Sequence, residues 1–182
     1  MKITVLGCSG GIGRPAATTS YLVDNDILID AGTGVTSLGL DAMTQIDHVF
    51  LTHSHLDHIA SLPLMADSVG SHRDRPVTVY AQAETIKVLR EHVLNGKVWP
   101  DFTVIPSAEM PFLTLREIAP GEEVEIAGRR LQGVEVTHTV PAMGYFVSAD
   151  STSFAFSGDT TETDAFWEQA NSVKDLRMLV IE

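Results

Sequence analysis

Thiols, membrane-length apolar runs and cationic patches are all scarce in this chain. The single cysteine, Cys8, cannot form an internal disulfide, so a reducing cytoplasm is the simplest setting and a small buried filler the expected role. No segment approaches the ~18 continuous apolar residues of a membrane helix, and no membrane partner is expected. The chain opens on Met1-Lys2-Ile3-Thr4-Val5-Leu6, which reads as a strand and lacks the longer apolar stretch and small-residue cleavage site of a secretory leader. Lysines and arginines number 12 against 24 acidic residues, a net charge of −12. Arg129-Arg130 is the only adjacent basic pair. Such a field repels an extended polyanion, so extended nucleic acid is not an expected partner.

What remains is ordinary for a single folded domain over residues 1–182, with 44% hydrophobic and 20% charged residues. Strand-like alternation or β-rich apolar runs fall near 2–6, 19–23, 26–30, 46–52, 76–80, 102–105, 112–118, 122–126, 130–137, 143–148, 153–157 and 177–181. Helical patterns fall near 58–69, 83–94 and 161–171. Polar turns such as Ala119-Pro120-Gly121-Glu122 mark hairpins.

Against this background Thr52–His58 stands out. It reads Thr-His-Ser-His-Leu-Asp-His and places His53, His55, Asp57 and His58 within six positions. Imidazole and carboxylate suit zinc and related divalent ions without a thiolate. The run lies between the apolar stretch Ile46–Leu51 and the apolar start of a helix at Ile59. It therefore occupies a strand-to-helix turn, where binding groups are displayed on a rigid scaffold. An extended start to that turn would project His53, His55 and Asp57 to one side, with His58 opening the helix. Two further candidates end strand-like segments: His138 after Val134-Glu135-Val136-Thr137, and Asp159 after Phe154-Ala155-Phe156-Ser157-Gly158. Each alone would be ordinary, the histidine a surface or core residue and the aspartate a helix cap. Their conjunction with the first cluster is what points to a metal site.

With these motifs, and with Leu28-Ile29-Asp30-Ala31-Gly32, the chain resembles the metallo-β-lactamase-fold hydrolases. That resemblance implies an αββα sandwich, two packed mixed β-sheets with helices outside. It implies two divalent metal ions, zinc first with manganese or iron(II) as alternatives. One ion would be held by His53, His55 and His138, the second by Asp57 and His58, with Asp159 bridging. Asp30 would orient a ligand from behind, although a turn-capping aspartate fits its sequence equally well. Asp57 and Asp159 are the candidates to hold the attacking water or pass a proton to the leaving group. The superfamily normally completes the second metal set with a further histidine, and none follows His138. The chain ends on the apolar Met178-Leu179-Val180-Ile181, so the expectation is a domain lacking its C-terminal segment.

A narrower resemblance, to class II 3′,5′-cyclic-nucleotide phosphodiesterases, rests on four stretches: Gly7-Cys8-Ser9-Gly10-Gly11, Thr18–Val23, His53–Leu64 and His138–Tyr145. It implies hydrolysis of a small cyclic phosphodiester to a 5′-monophosphate by a hydroxide held between the two ions. Pro63 and Met65-Ala66-Asp67 depart from that group's pattern, and Gly144-Tyr145 is shared with tRNA-processing relatives. The alternatives are another small ester, lactone or thioester, an RNA 3′ end, or an inactive metal-binding fragment. Homodimers are common in the superfamily, so a homodimer is compatible with this reading. Among the other candidates, Trp99 and Phe102 read as core and His92 as a solvated helix residue. Gly7–Gly13 lacks the lysine and spacing of a phosphate loop and reads as a tight turn.

Overall fold

Short, almost wholly apolar segments such as Ile27-Leu28-Ile29 and His48-Val49-Phe50 are suited to strands buried on both faces, as parallel sheets require. The computed structural model describes residues 1–182, which form two compact units, one of Lys2–Glu117 and one of Ile118–Glu182 together with Met1.

The first unit is built on a mixed six-stranded sheet in the order β1-β2-β3-β4-β5-β6. Its strands are β1 (Ile3–Gly7), β2 (Ser20–Val23), β3 (Ile27–Ile29), β4 (His48–Phe50), β5 (Val77–Ala81) and β6 (Leu113–Glu117). β1, β2 and β3 pair antiparallel, whereas β3 to β6 run parallel. The helices are α1 (Leu40–Met43), α2 (Leu56–Ile59), α3 (Leu62–Gly70) and α4 (Ala83–Val88), with a 3-10 turn at Thr33–Ser37 and a π-helical turn at Leu89–Val93. Leu62, Met65, Ala66 and Val69 recur at helical spacing on α3, and all four lie in the core with Leu28, Val49, Val79 and Leu113.

The second unit carries a mixed five-stranded sheet, β11-β10-β9-β8-β7. It comprises β7 (Glu123–Ile126), β8 (Arg129–Val136), β9 (Ala142–Ala149), β10 (Thr152–Phe156) and β11 (Leu176–Val180). Only the β10–β11 pair is parallel, and its crossover contains α5 (Asp164–Ser172). α5 buries Phe166 and Ala170 beside Val136, Phe146 and Ala155, with the Phe146 and Phe166 rings 5.0 Å apart.

Two mixed sheets with helices match the expected fold class, but several local expectations need correction. Residues 102–105 are a turn, because the Asp101 carboxylate accepts from the Thr103 backbone N–H at 3.0 Å and its hydroxyl at 2.6 Å. The helix expected over 58–69 breaks into α2 and α3, since Ser61 N–H donates to Ala31 O at 2.8 Å. α5 begins at Asp164, because Thr161 N–H is drawn off to Thr137 O. Cys8 is exposed rather than buried. It follows Gly7, the last residue of β1. Trp99 and Phe102 do pack in the core, and His92 is exposed.

Candidate metal centre

The turn after β4 carries most of the candidate ligands, and its backbone differs from the extended run expected. His53 and His55 lie on non-helical backbone, whereas Asp57 and His58 both belong to the one-turn helix α2. The turn is anchored from beneath by the segment after β3. Ala31 N–H donates to His58 O at 2.7 Å, and Gly32 N–H donates to Thr19 O at 3.0 Å. A Cβ on Gly32 would lie 2.1 Å from the Asp57 carbonyl oxygen and 2.4 Å from Thr18 Oγ1. Only glycine permits this approach, which is the physical content of the Asp30-Ala31-Gly32 sequence.

Asp30 itself sits at φ +56, a left-handed backbone that aspartate tolerates better than most residues. Its fully buried carboxylate accepts the Thr52 backbone N–H on Oδ1 at 2.8 Å. Its other oxygen lies 2.8 Å from Thr52 Oγ1 and 2.8 Å from His58 Nδ1. A carboxylate receiving Nδ1–H leaves the His58 Nε2 lone pair to bind outward. The Asp30 side chain thus bonds to Thr52 and His58 across the turn that follows β4.

The donor atoms lie close together. Tetrahedral bonds of about 2.0–2.2 Å put neighbouring donors roughly 3.4 Å apart. His58 Nε2 and Asp57 Oδ2 are separated by 3.6 Å, and donor atoms of His53 and His55 lie within 4.8 Å of each other. His53 and His58 are fully buried, and their rings are 4.2 Å apart. In the second unit His138 follows β8 and Asp159 follows β10, on loops tied together by Thr161 N–H donating to Thr137 O at 2.8 Å. Gly158, at φ +62, turns the chain so that Asp159 Oδ2 comes 3.5 Å from His138 Nε2. Thus His53, His55, Asp57, His58 and Asp30 gather in the first unit, and His138 meets Asp159 in the second. All of these side chains but Asp30, which lies behind His58, offer the imidazole or carboxylate donors that suit divalent ions.

Residues 25–182 match the family model described as Beta-lactamase superfamily domain. The chain belongs to this family. As a β-lactamase superfamily member it is 29% identical over 195 residues to a probable 3′,5′-cyclic-nucleotide phosphodiesterase of Yersinia pestis, covering 90% of this chain and 55% of that protein. It is 25% identical to the ribonuclease Z of Haloarcula marismortui, covering 90% of this chain and 52% of the other. The chain therefore spans about half the length of these relatives. Among solved structures, unliganded yeast PDE1 superposes with a TM-score of 0.78 at 18% identity, over 98% of this chain and 74% of that one. The metallo-β-lactamase fold protein YhfI of Bacillus subtilis gives 0.72 at 19%, over 92% and 67%. The superfamily member thus has the metallo-β-lactamase fold, two mixed sheets with helices. No helix is long and apolar enough to cross a membrane.

One residue of the site went unread in the sequence. Thr52 is fully buried and touches Asp30, His53 and His58. A threonine preceding a histidine run carries no signal of its own; only its position before the first ligand could have marked it.

Proposed function

We propose that this chain is the metal-bearing part of a dinuclear hydrolase that opens 3′,5′-cyclic nucleotides such as cAMP or cGMP to 5′-monophosphates. His53, His55 and His138 would hold one ion, Asp57 and His58 the second, and Asp159 both. Zinc suits these donors best, with manganese and iron(II) as alternatives. When bound, such ions supply Lewis acidity and bring the pKa of water near neutrality.

The protein's own contribution is to present the ligands in fixed orientation and protonation state. Asp30 holds the His58 ring, and α2 sets Asp57 beside it. The Asp57 side chain is 29% exposed, so one carboxylate oxygen can hold a hydrogen bond to a water or pass a proton to the departing 3′ oxygen. Asp159, 26% exposed, is the other candidate for that proton. No side-chain nucleophile is required.

The observation supporting a small phosphodiester is the likeness to the Yersinia protein across 90% of this chain, joined to a net charge of −12. An acidic surface repels a long RNA, whereas two cations make a small pocket locally attractive to a compact anion. Likeness to ribonuclease Z proteins supports RNA 3′-end cleavage as the second reading. A small phosphodiester as partner, without membrane or extended nucleic acid, and a cytoplasmic setting complete the proposal.

The test is turnover by the zinc- or manganese-loaded protein of cAMP and cGMP, of a precursor tRNA with a 3′ trailer, and of a lactone and thioester panel. The expected result is 5′-monophosphate release that chelation abolishes and added metal restores. Cleavage of the RNA or the acyl substrates without cyclic-nucleotide turnover would overturn the assignment.

A further inference from the structure

We infer that Thr52 is a positioning residue that fixes the protonation state of His53, so that one carboxylate, Asp30, presets histidines of both donor sets. The inference rests on the metal reading above and adds a residue to it. A count of protons carries it. A threonine hydroxyl has one hydrogen to give. Thr52 Oγ1 lies 2.8 Å from Asp30 Oδ2, and an ionised carboxylate can only accept. The hydroxyl proton is therefore committed to Asp30.

Thr52 Oγ1 also lies 3.0 Å from His53 Nδ1. With its proton spent, the oxygen can only accept there, so His53 must carry its hydrogen on Nδ1. The Nε2 lone pair is then the one left for a metal. His58 reaches the same state directly, its Nδ1 donating to Asp30 Oδ2 at 2.8 Å. The 3.4 Å separation of Thr52 Oγ1 from His58 Nδ1 is the weaker alternative for that proton. Thr52 N–H donates to Asp30 Oδ1 at 2.8 Å, so the relay has an anchor that no change of the Thr52 side chain removes. Asp30, Thr52, His53 and His58 are all fully buried; water cannot stand in for the hydroxyl.

The consequence is a division of labour between two nearly isosteric replacements. Thr52→Val deletes the acceptor for His53 and leaves the His58–Asp30 bond in place. Thr52→Ser keeps the hydroxyl. Imidazole nitrogens of metal-free, 15N-labelled protein would be read by long-range 1H–15N correlation at about pH 8, where unperturbed imidazole is neutral. In the wild type both His53 and His58 should carry hydrogen on Nδ1. Thr52→Val should move the His53 hydrogen toward Nε2 with His58 unchanged, and Thr52→Ser should restore the wild-type pattern. Zinc affinity by chelator competition should fall about 10–100-fold in Thr52→Val, the range seen when a partner behind a metal ligand is lost, and recover in Thr52→Ser.

A wild-type His53 protonated on Nε2 overturns the inference. So does a Thr52→Val protein whose His53 is unchanged. Altered signals at both histidines would also overturn it, because Thr52 would then be a fold support without selective action. Because the tautomers are read without metal, the two claims separate. The expected tautomers in a wild-type protein that takes up no zinc would support the relay and refute the metal reading. Zinc uptake with unaltered tautomers would do the reverse.

Discussion

Replacing Gly32 by alanine is a small chemical change with a large geometric demand. The new Cβ would meet the Asp57 carbonyl oxygen at 2.1 Å and the Thr19 carbonyl oxygen at 2.7 Å. Real Cβ atoms essentially never approach below 3.0 Å, so the Asp57 peptide must retreat by 3.0 − 2.1 = 0.9 Å. Both obstacles are backbone and cannot rotate aside. Gly32 N–H is meanwhile tied to Thr19 O, and its neighbour Ala31 to His58 O, which leaves the turn carrying the candidate ligands as the part that moves. Overpacking of this kind costs roughly 1–3 kcal/mol, and a chain of this size loses about 2–4 °C in Tm per kcal/mol. A displacement near 1 Å at reacting groups costs on the order of 100-fold in rate. Gly10→Ala is the control, since its Cβ meets nothing within 4 Å; loss of unfolded-state entropy should leave stability unchanged or raised by up to about 1 kcal/mol. Thermal melts and zinc competition on the two variants decide the matter. A Gly32→Ala protein with wild-type Tm and zinc affinity would refute the claim that this glycine sets the height of the ligand turn.

Further consequences concern charge. Asp30→Asn leaves one accepting oxygen where three donors arrive. Two hydrogen bonds to a charged group, at about 1.5–3 kcal/mol each, set the ceiling, and the amide's smaller desolvation cost offsets part of it. A loss of about 2–4 kcal/mol in urea denaturation is expected, together with weakened zinc binding. Elsewhere, burial works to raise the Asp47 carboxyl, but hydrogen bonds from Arg75 and Arg73 outweigh it and hold the group below its usual 3.8. A carboxyl lowered in the folded state stabilises the protein fully above its unfolded pKa and loses that contribution as pH falls through the folded value. The stability gap between wild type and Asp47→Asn should therefore be widest near neutral pH and shrink below 3.8, measured by urea melts across that range. A gap independent of pH would contradict the pairing.

The candidate ligands were legible because four of them crowd into His53–His58, a density of imidazole and carboxylate that neither core packing nor surface solvation calls for. Backbone detail was not. Asp57 lies on a helical turn, not on the extended run, because His58 N–H donates to His55 O at 3.0 Å and closes the turn early. The break between α2 and α3 depends on Ala31, and the late start of α5 on Thr137. Ala31 and Thr137 lie 30 and 24 residues from the N–H groups they accept from, Ser61 and Thr161, and local periodicity cannot report such partners. Fold class came from motif resemblance, since composition alone permitted many arrangements of strands and helices. Thr52 shows the limit most clearly: its role rests on which atom spends a proton, and no residue pattern encodes that.

The central claim is that these side chains hold divalent ions, and native mass spectrometry of the purified protein with limiting zinc addresses it most directly. The expected result is uptake of two zinc ions per chain, with reduced uptake in His53→Ala and in His138→Ala. A protein that stays at its metal-free mass, or binds zinc equally well in both variants, would contradict the account.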